Sequence, residues 1–452
     1  MRSFAIMVKY IPNFFRYVAL ICCSIYLCPL ASAQDSLTLE SAISIGINNN
    51  LAIKRSIISE KIANVQLSSA RADRLPTIAA NVNNNISSGR ALDPYTNSYI
   101  NTQFKTYTAN LNGDLILFSG FSKLAAVKAA KKEVEINNSA VKSLINETTI
   151  EIASCFTTIL YQRELIYANT EQVKTTQSQL VLAKLKYSQG YISESDVFKI
   201  ESQKASEEVI LINNQNLYNL RVMELKQLLN ISQETRLNFK LYKNNQTSLQ
   251  LTQSNIDSLI KIAVSQQPAF QQIKLIEQRL LANIQQDRAA LYPTLSMRYN
   301  YGSLYSDRNP NLNFNNQLKI NQSFGLNFVL SVPIFNKFQN SLKVKEMKFE
   351  LQKSRIDSEI EYNRLSKVIH QAYNDTKSAY QRYLAAQAAY NFSLRSFNAD
   401  TIKFEYGKIS VSDLNISKNN FNNSNAELVK SKFEYLFNSS LVNFYFGENF
   451  KY

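Results

Sequence analysis

The chain has 452 residues, with 50 lysines and arginines against 35 acids, one histidine, four cysteines, nine glycines and no tryptophan. One histidine cannot build a His-based triad or a zinc site with so few cysteines, and the glycines form neither GxxxxGK nor GxGxxG, so no enzyme, metal or cofactor is expected. The formal charge of +15 is spread along the chain, which fits a solvated, lysine-rich helical surface better than any specific anionic ligand, with anionic lipid headgroups as the alternative.

At the N-terminus Arg2, Lys9 and Arg16 precede an apolar run, Val18 to Leu30, and then Ala31-Ser32-Ala33 before Gln34. This is the order of a secretory signal peptide, 1–33, cleaved after Ala33; the run falls short of the ~20 residues of a bilayer span. Cys22, Cys23 and Cys28 raise a lipoprotein signal as the rival, ranked second because Ile21, Cys22 and Leu27 before them are not small. Cleavage leaves Cys155 as the lone cysteine and a mature charge of +12, so no internal disulfide is expected and nucleic acid is set aside as a partner. No later segment offers ~18 consecutive apolar residues, so a membrane crossing must be a β-barrel.

The mature chain reads as a first repeat with its linker, 34–253, and a second repeat, 254–452. Thr38 to Leu75 has helical composition and stops at Pro76, and the residue before a proline disfavours helix. The period then falls to two, with strands expected within 76–118: Ile78, Ala80, Val82 and Ile86, then Tyr107, Ala109, Leu111, Leu115 and Leu117 alternating with Thr108, Asn110, Asn112 and Asp114. Gly89 to Gln103, with Asp93-Pro94, reads as a loop. From Gly120 to Gln189 no proline or interior glycine interrupts a helix of up to 70 residues, ~100 Å at ~1.5 Å per residue. Inside it Val141, Ile145, Thr148, Ile152, Cys155 and Ile159 recur at steps of four and three, a coiled-coil-like seam. Gly190 then marks a turn, with Ser193 or Ser195 as cap of the next helix and Asp196 in its first turn.

After the polar stretch Ser232 to Gln253, the same order returns 217 residues later. Ile256 to Tyr292 reads as a helix ending at Pro293 (293 − 76 = 217), with strands expected within 293–335. The clearest runs from Ile320 to Ile334, with Ile320, Phe324, Leu326, Phe328, Leu330 and Val332 on one face. Ser306 to Lys319 reads as a loop, and a second long helix as Asn336 to Tyr406. Gly407, Ser410 or Ser412, and Asp413 repeat the turn and cap. His370 stands beside the seam residue Ile369, and acid pairs such as Glu207 and Glu208 or Glu359 and Glu361 read as solvated helix faces.

Duplication in register, a proline at each helix-to-strand junction and a paired Gly-then-Asp turn resemble the TolC-like outer-membrane efflux family, over almost the whole mature chain. The resemblance implies a mainly α fold with a β-barrel contribution: a homotrimer pooling four strands per copy into a twelve-stranded outer-membrane barrel, with an α-helical tunnel in the periplasm. It implies a passive export duct of a tripartite efflux or type I secretion system, seated in outer-membrane lipid, opened by a periplasmic adaptor (membrane fusion) protein and powered by an inner-membrane pump. Gly190 and Gly407 would mark the periplasmic tips and adaptor contacts. Asp413 would line a gate, Asp196 would join a latch between helix pairs, and Lys408 would substitute for the family's usual base, because Ile409 holds that base's position and Ile416 the position of a further acid. With no tryptophan, Tyr95, Tyr99, Tyr107, Tyr299, Tyr301, Tyr305 and Phe328 are the candidate headgroup anchors. The alternatives are a periplasmic coiled-coil adaptor, which would not need four alternating strands, and a soluble helical scaffold.

Overall fold

The computed structural model describes residues 37–93, 95–240 and 256–450; the expected signal peptide with its three cysteines, Pro94 and most of the linker lie outside the described residues. In chain order the first repeat forms α1 (Leu39–Asn49), α2 (Leu51–Ala72), β1 (Thr77–Ser87), β2 (Arg90–Leu92), β3 (Tyr99–Asn101), β4 (Phe104–Ser119), α3 (Ser122–Ser188) and α4 (Glu194–Leu228). The second forms α5 (Ile256–Gln266), α6 (Pro268–Ala289), β5 (Thr294–Ser306), α7 (Phe314–Ile320), β6 (Ser323–Ser331), α8 (Gln339–Glu405) and α9 (Val411–Tyr445). Both long helices, α3 and α8, run 67 residues, or ~100 Å.

The first helix of each repeat is broken where the sequence reading had it continuous. Asn50 turns extended, with ψ 121°, and its Oδ1 accepts the N–H groups of Ala52 at 2.8 Å and Ile53 at 3.0 Å, so it caps a new helix in mid-run. Gln267, 217 residues later, is extended too, with ψ 129°, because Pro268 excludes it from the helix and then serves as the first residue of α6.

Two expected loops hold structure. The first carries the small β2–β3 hairpin. The second carries α7, capped by Asn313 and fixed by the buried Gln317, whose amide donates to the carbonyls of Ser306 and Leu312 and whose oxygen accepts from the Ser306 N–H. Ile320 therefore ends a helix instead of opening a strand. The strand ends at Ser331, just ahead of Pro333, which has no N–H to give to a ladder.

The main sheet has the order β1-β4-β5-β6, antiparallel throughout. Directly paired residues share a face, so Ala80, Leu111, Tyr301 and Phe324 line up, as do Tyr299 and Leu326. This face is greasy and bare: Val82 is 77% exposed and Phe324 71%. The opposite face carries Asn81, Asn110, Asn112, Asn300 and Asn327, with an Asp114–Arg298 ion pair at 3.0 Å. A soluble sheet buries its apolar face; here both faces are open, as are the outer edges of β1 and β6.

The packed core lies in the helices. Ile152, Phe156, Ile159 and Leu160 on α3 meet Ala42 on α1, Leu225 on α4 and Phe433 on α9, each large side chain contributing roughly 1.5–3 kcal/mol. Gly46 sits where a Cβ would run into Ile152. In the expected seam Val141, Thr148, Ile152 and Ile159 are buried, while Ile145 and Cys155 are half-buried.

Candidate functional site

The far ends of the long helices form one structural pair. The Tyr191 N–H bonds to the Lys186 carbonyl and the Gly190 N–H to that of Tyr187, both at 2.9 Å; Lys408 and Gly407 repeat this on Lys403 and Phe404 at 2.8 and 3.0 Å. Such double bonds close a helix only when the residue after the cap is left-handed, and Gly190 and Gly407 have φ of 77° and 70°.

Ser193 and Ser410 then cap α4 and α9. The Ser410 Oγ accepts from the Asp413 N–H at 3.1 Å, while Asp413 Oδ2 accepts from the Ser410 N–H at 3.2 Å and from its hydroxyl at 2.7 Å. Asp196 accepts from the Ser193 hydroxyl at 2.8 Å and from Lys199 Nζ at 3.0 Å. Lys199, then Ser193, hold its carboxyl below the ordinary carboxylate range. Among the described residues its ion pair lies within its own helix. Lys408 is exposed in its turn.

Sequence reasoning did not find the bridges between the repeats. Lys186 donates to the carbonyls of Phe404 at 2.7 Å and Glu405 at 2.9 Å and lies 4.7 Å from the Phe404 ring centroid, so a cation on α3 covers the negative end of α8. Together the tips line an open cleft of about 1290 Å³ bounded by Lys186, Tyr191, Asp196, Phe404, Lys408 and Asp413.

Further up the helices Lys418 on α9 meets Glu207 on α4 at 2.8 Å, with both residues at most 2% exposed. The Thr176 hydroxyl on α3 hydrogen-bonds to both, and the Gln203 amide donates to Glu207 at 2.9 Å. Burial pulls the Lys418 pKa down, and the Glu207 carboxylate opposes that shift. Glu207 therefore does not share a solvated face with Glu208, which is exposed and pairs with Lys204 at 3.3 Å. Glu207 follows Glu208's neighbours in no visible pattern; only its position opposite a buried lysine 211 residues away distinguishes it.

At the other end, Pro76 and Pro293 stand between helix and strand, directly before β1 and β5. The return paths into α3 and α8 pass through successive left-handed residues, Gly120-Phe121 and Lys337-Phe338. Phe118–Phe121 and Phe335–Phe338 make matching edge-on pairs at 5.4 and 5.5 Å. Across the sheet, Tyr107, Tyr305 and Phe314 form a second aromatic cluster. Eleven residues of β4 separate Tyr107 from Phe118, roughly 36 Å of strand, or about 28 Å of height at a barrel tilt of about 40°.

Cys155 donates to the Arg221 carbonyl at 3.5 Å, and burial pushes its thiol up to about 11, so it is a protonated packing group at neutral pH. His370 faces Asp257 of α5 at 3.7 Å. Among the described residues, no cluster of three or more His, Cys, Asp or Glu could hold a metal, and no helix is long and apolar enough to cross a membrane.

A family model described as outer membrane efflux protein matches residues 42–230 and 259–440, one segment in each repeat. Among solved structures, the chain is similar to CusC, from work on folding and transmembrane channel formation, at TM-score 0.78 and 14% identity over 90% of this chain and 92% of that one. It is similar to the outer-membrane channel OprN at 0.78 and 12%, over 90% and 89%. The outer membrane protein VceC of Vibrio cholerae gives 0.76 and 13%, over 91% and 97%. No curated protein sequence matches.

Proposed function

Because the chain belongs to the outer membrane efflux protein family, we propose that three copies form one passive export duct, opened at its periplasmic tip by an adaptor and driven by an inner-membrane pump. The observation that carries this reading is the sheet: four strands with a bare greasy face and two open edges. Open edges in lipid leave backbone groups without partners, at several kcal/mol each, and only closure removes them. Joining β6 of one copy to β1 of the next in three copies gives twelve strands, a barrel wide enough for a lumen lined by the asparagine-rich face.

The helical wall supports the same ring. Within the chain α2 packs on α3, α3 on α6 and α6 on α8. The Ser139 hydroxyl on α3 donates to the Pro268 carbonyl at the start of α6, at 2.9 Å. Moved on by one repeat, this contact becomes Ile356 of α8 against Leu51 of α2 in the next copy. Both are apolar and exposed, at 58% and 66%, and the row Leu342, Phe349, Ile356 and Ile360 extends the same face of α8. Ile58, Ile62 and Val65 give α2 a matching face. A periplasmic adaptor alone would not need the bare sheet.

At the tips, the cleft around Gly190 and Gly407 is the surface offered to the adaptor, and a threefold ring of Asp413, flanked by Lys408, is the constriction. The test is a planar-bilayer recording of the mature chain: Asp413→Ala should raise conductance or weaken block by multivalent cations. Unchanged currents would remove Asp413 from the gate, and a chain that stays monomeric and never inserts would remove the duct itself.

A further inference from the structure

The first ten residues of α3 hold three lysines, Lys123, Lys128 and Lys131, and no acid; those of α8 hold Lys343, Lys345 and Lys348 and one acid, Glu346. Lys343 is engaged by Asp287 of α6 at 3.1 Å. Lys128 and Lys131 recur 217 residues on as Lys345 and Lys348, all four are exposed, and none has an acidic partner among the described residues. The helix dipole does not call for them either, since all four lie beyond the first turn, where its effect has faded.

Their order along the helix is informative. Leu124, Lys128 and Lys131 follow at steps of four and three, so they share one helix face; Ser341, Lys345 and Lys348 repeat the spacing, and the left-handed Phe121 and Phe338 stand directly before the two helices. Phe121, Leu124 and Phe338 are 67%, 51% and 66% exposed. Starting at the end of the greasy sheet, each helix start runs from exposed apolar side chains to cations without an acidic partner about 10–15 Å further along the axis, Lys345 lying over the Phe349 ring at 5.9 Å. This is the sequence of environments met on leaving a bilayer, acyl chains first and phosphates next, and lysine stems reach back several ångströms toward the interface.

We infer that this collar, four lysines per chain, binds anionic phospholipid headgroups in the leaflet at the helical end of the barrel. The inference rests on the sheet spanning the membrane. A cation within a Debye length of an anionic surface favours it about fivefold, so a trimer carrying twelve should gather phosphatidylglycerol around itself well above its bulk share.

The test uses full-length mature protein in phosphatidylcholine vesicles holding a tenth phosphatidylglycerol, extracted with a native lipid shell, with the shell's lipid ratio read by mass spectrometry. The wild type should show at least about fivefold enrichment of phosphatidylglycerol, lost in high salt. The combined Lys128→Gln, Lys131→Gln, Lys345→Gln, Lys348→Gln variant should insert equally well and show the bulk ratio; the matching arginine variant should keep the enrichment if the glutamine variant fails to assemble. Enrichment absent in the wild type, insensitive to salt or retained in the glutamine variant overturns the inference. So does displacement of the lipid by free glycerol phosphate, or a change of ion selectivity in the variant without a change in lipid ratio, which would turn the lysines toward the lumen. Failure to insert into any vesicle would instead strike the membrane placement itself.

Discussion

The junction between the two repeats inside the chain and the free flanks of the chain are built on the same backbone but differ in their polar links. Inside, the links are directional: Ser139 to the Pro268 carbonyl, Arg279 to Glu133, Lys186 over the end of α8, and Lys418 to Glu207. At the equivalent flank positions stand Ile356 and Leu51, then Glu350 and Ile62, then Lys403, which turns back to Asp400 at 2.9 Å in its own helix. The counterparts of Glu207 and Lys418 are Ser424 and Glu201, and Glu201 is already paired with Lys184 at 2.7 Å. Within the chain the repeats thus add polar links to apolar packing such as Leu180 and Ile200 against Phe404 and Leu414, whereas in the proposed trimer the flank would meet the next copy through Ile356, Leu51 and Ile62 without those links. Directional links hold one arrangement, whereas an apolar seam tolerates sliding, which would suit the opening proposed for the ring.

The largest test of that contrast is Lys418→Met. It strands the buried Glu207 carboxylate, and chemical denaturation should report a loss of about 3–5 kcal/mol. Adding Glu207→Leu should restore most of the loss, because two apolar groups in place of a buried pair are close to neutral. A single variant as stable as the wild type would show that the inner junction does not depend on this pair.

Next in size is the flank. Ile356→Asp puts a charge in the apolar seam and should convert trimer to monomer in light scattering, since each copy loses roughly 1.5–3 kcal/mol of burial. Its counterpart Ser139→Ala should cost only about 1 kcal/mol and leave the trimer whole. Equal effects at the two positions would erase the distinction between the junctions.

Lys186→Met should be milder, about 1 kcal/mol, since the ammonium is partly wet and carbonyls can turn to water. Its effect should be felt at the tip: faster amide hydrogen exchange at Phe404 to Lys408, with the middle of α8 unchanged.

The repeat, the long helices and the alternating strands were legible because they are periodic signals, and a periodic signal survives without knowing the partner. Asn50 and Gln267 were missed because a cap in mid-run looks like an ordinary polar residue until its side chain is seen on the N–H groups of Ala52 and Ile53. α7 was missed because Gln317 fixes it through bonds to the backbone of a distant turn. Glu207 and Lys186 were missed for a related reason: each acts across the repeat boundary, and a helical period says which residues share a face but not which residue lies opposite. The tip residues were nameable from the paired turns, yet their hydrogen bonds, Asp413 to Ser410 and Asp196 to Lys199, had to be seen.

The smallest effect separates the two aspartates. The Asp196 carboxyl is held below the ordinary range by Lys199 and Ser193, so the folded chain keeps it ionised to lower pH than the unfolded chain does. Its contribution is therefore present above the ordinary carboxylate range, near 4, and lost as pH falls through the lowered value. Asp196→Asn should cost only a few tenths of a kcal/mol at pH 7, because the pair is exposed and screened, and should flatten the acid limb of the stability curve. The same substitution at Asp413 keeps a side-chain oxygen for the Ser410 N–H, so its stability cost is also small, but it removes a charge that makes no ion pair among the described residues. If only Asp413 lines the duct, Asp413→Asn changes cation block while Asp196→Asn leaves currents alone. Equal electrical effects would mean that both turns face the lumen and that the two repeats are alike at the tip after all.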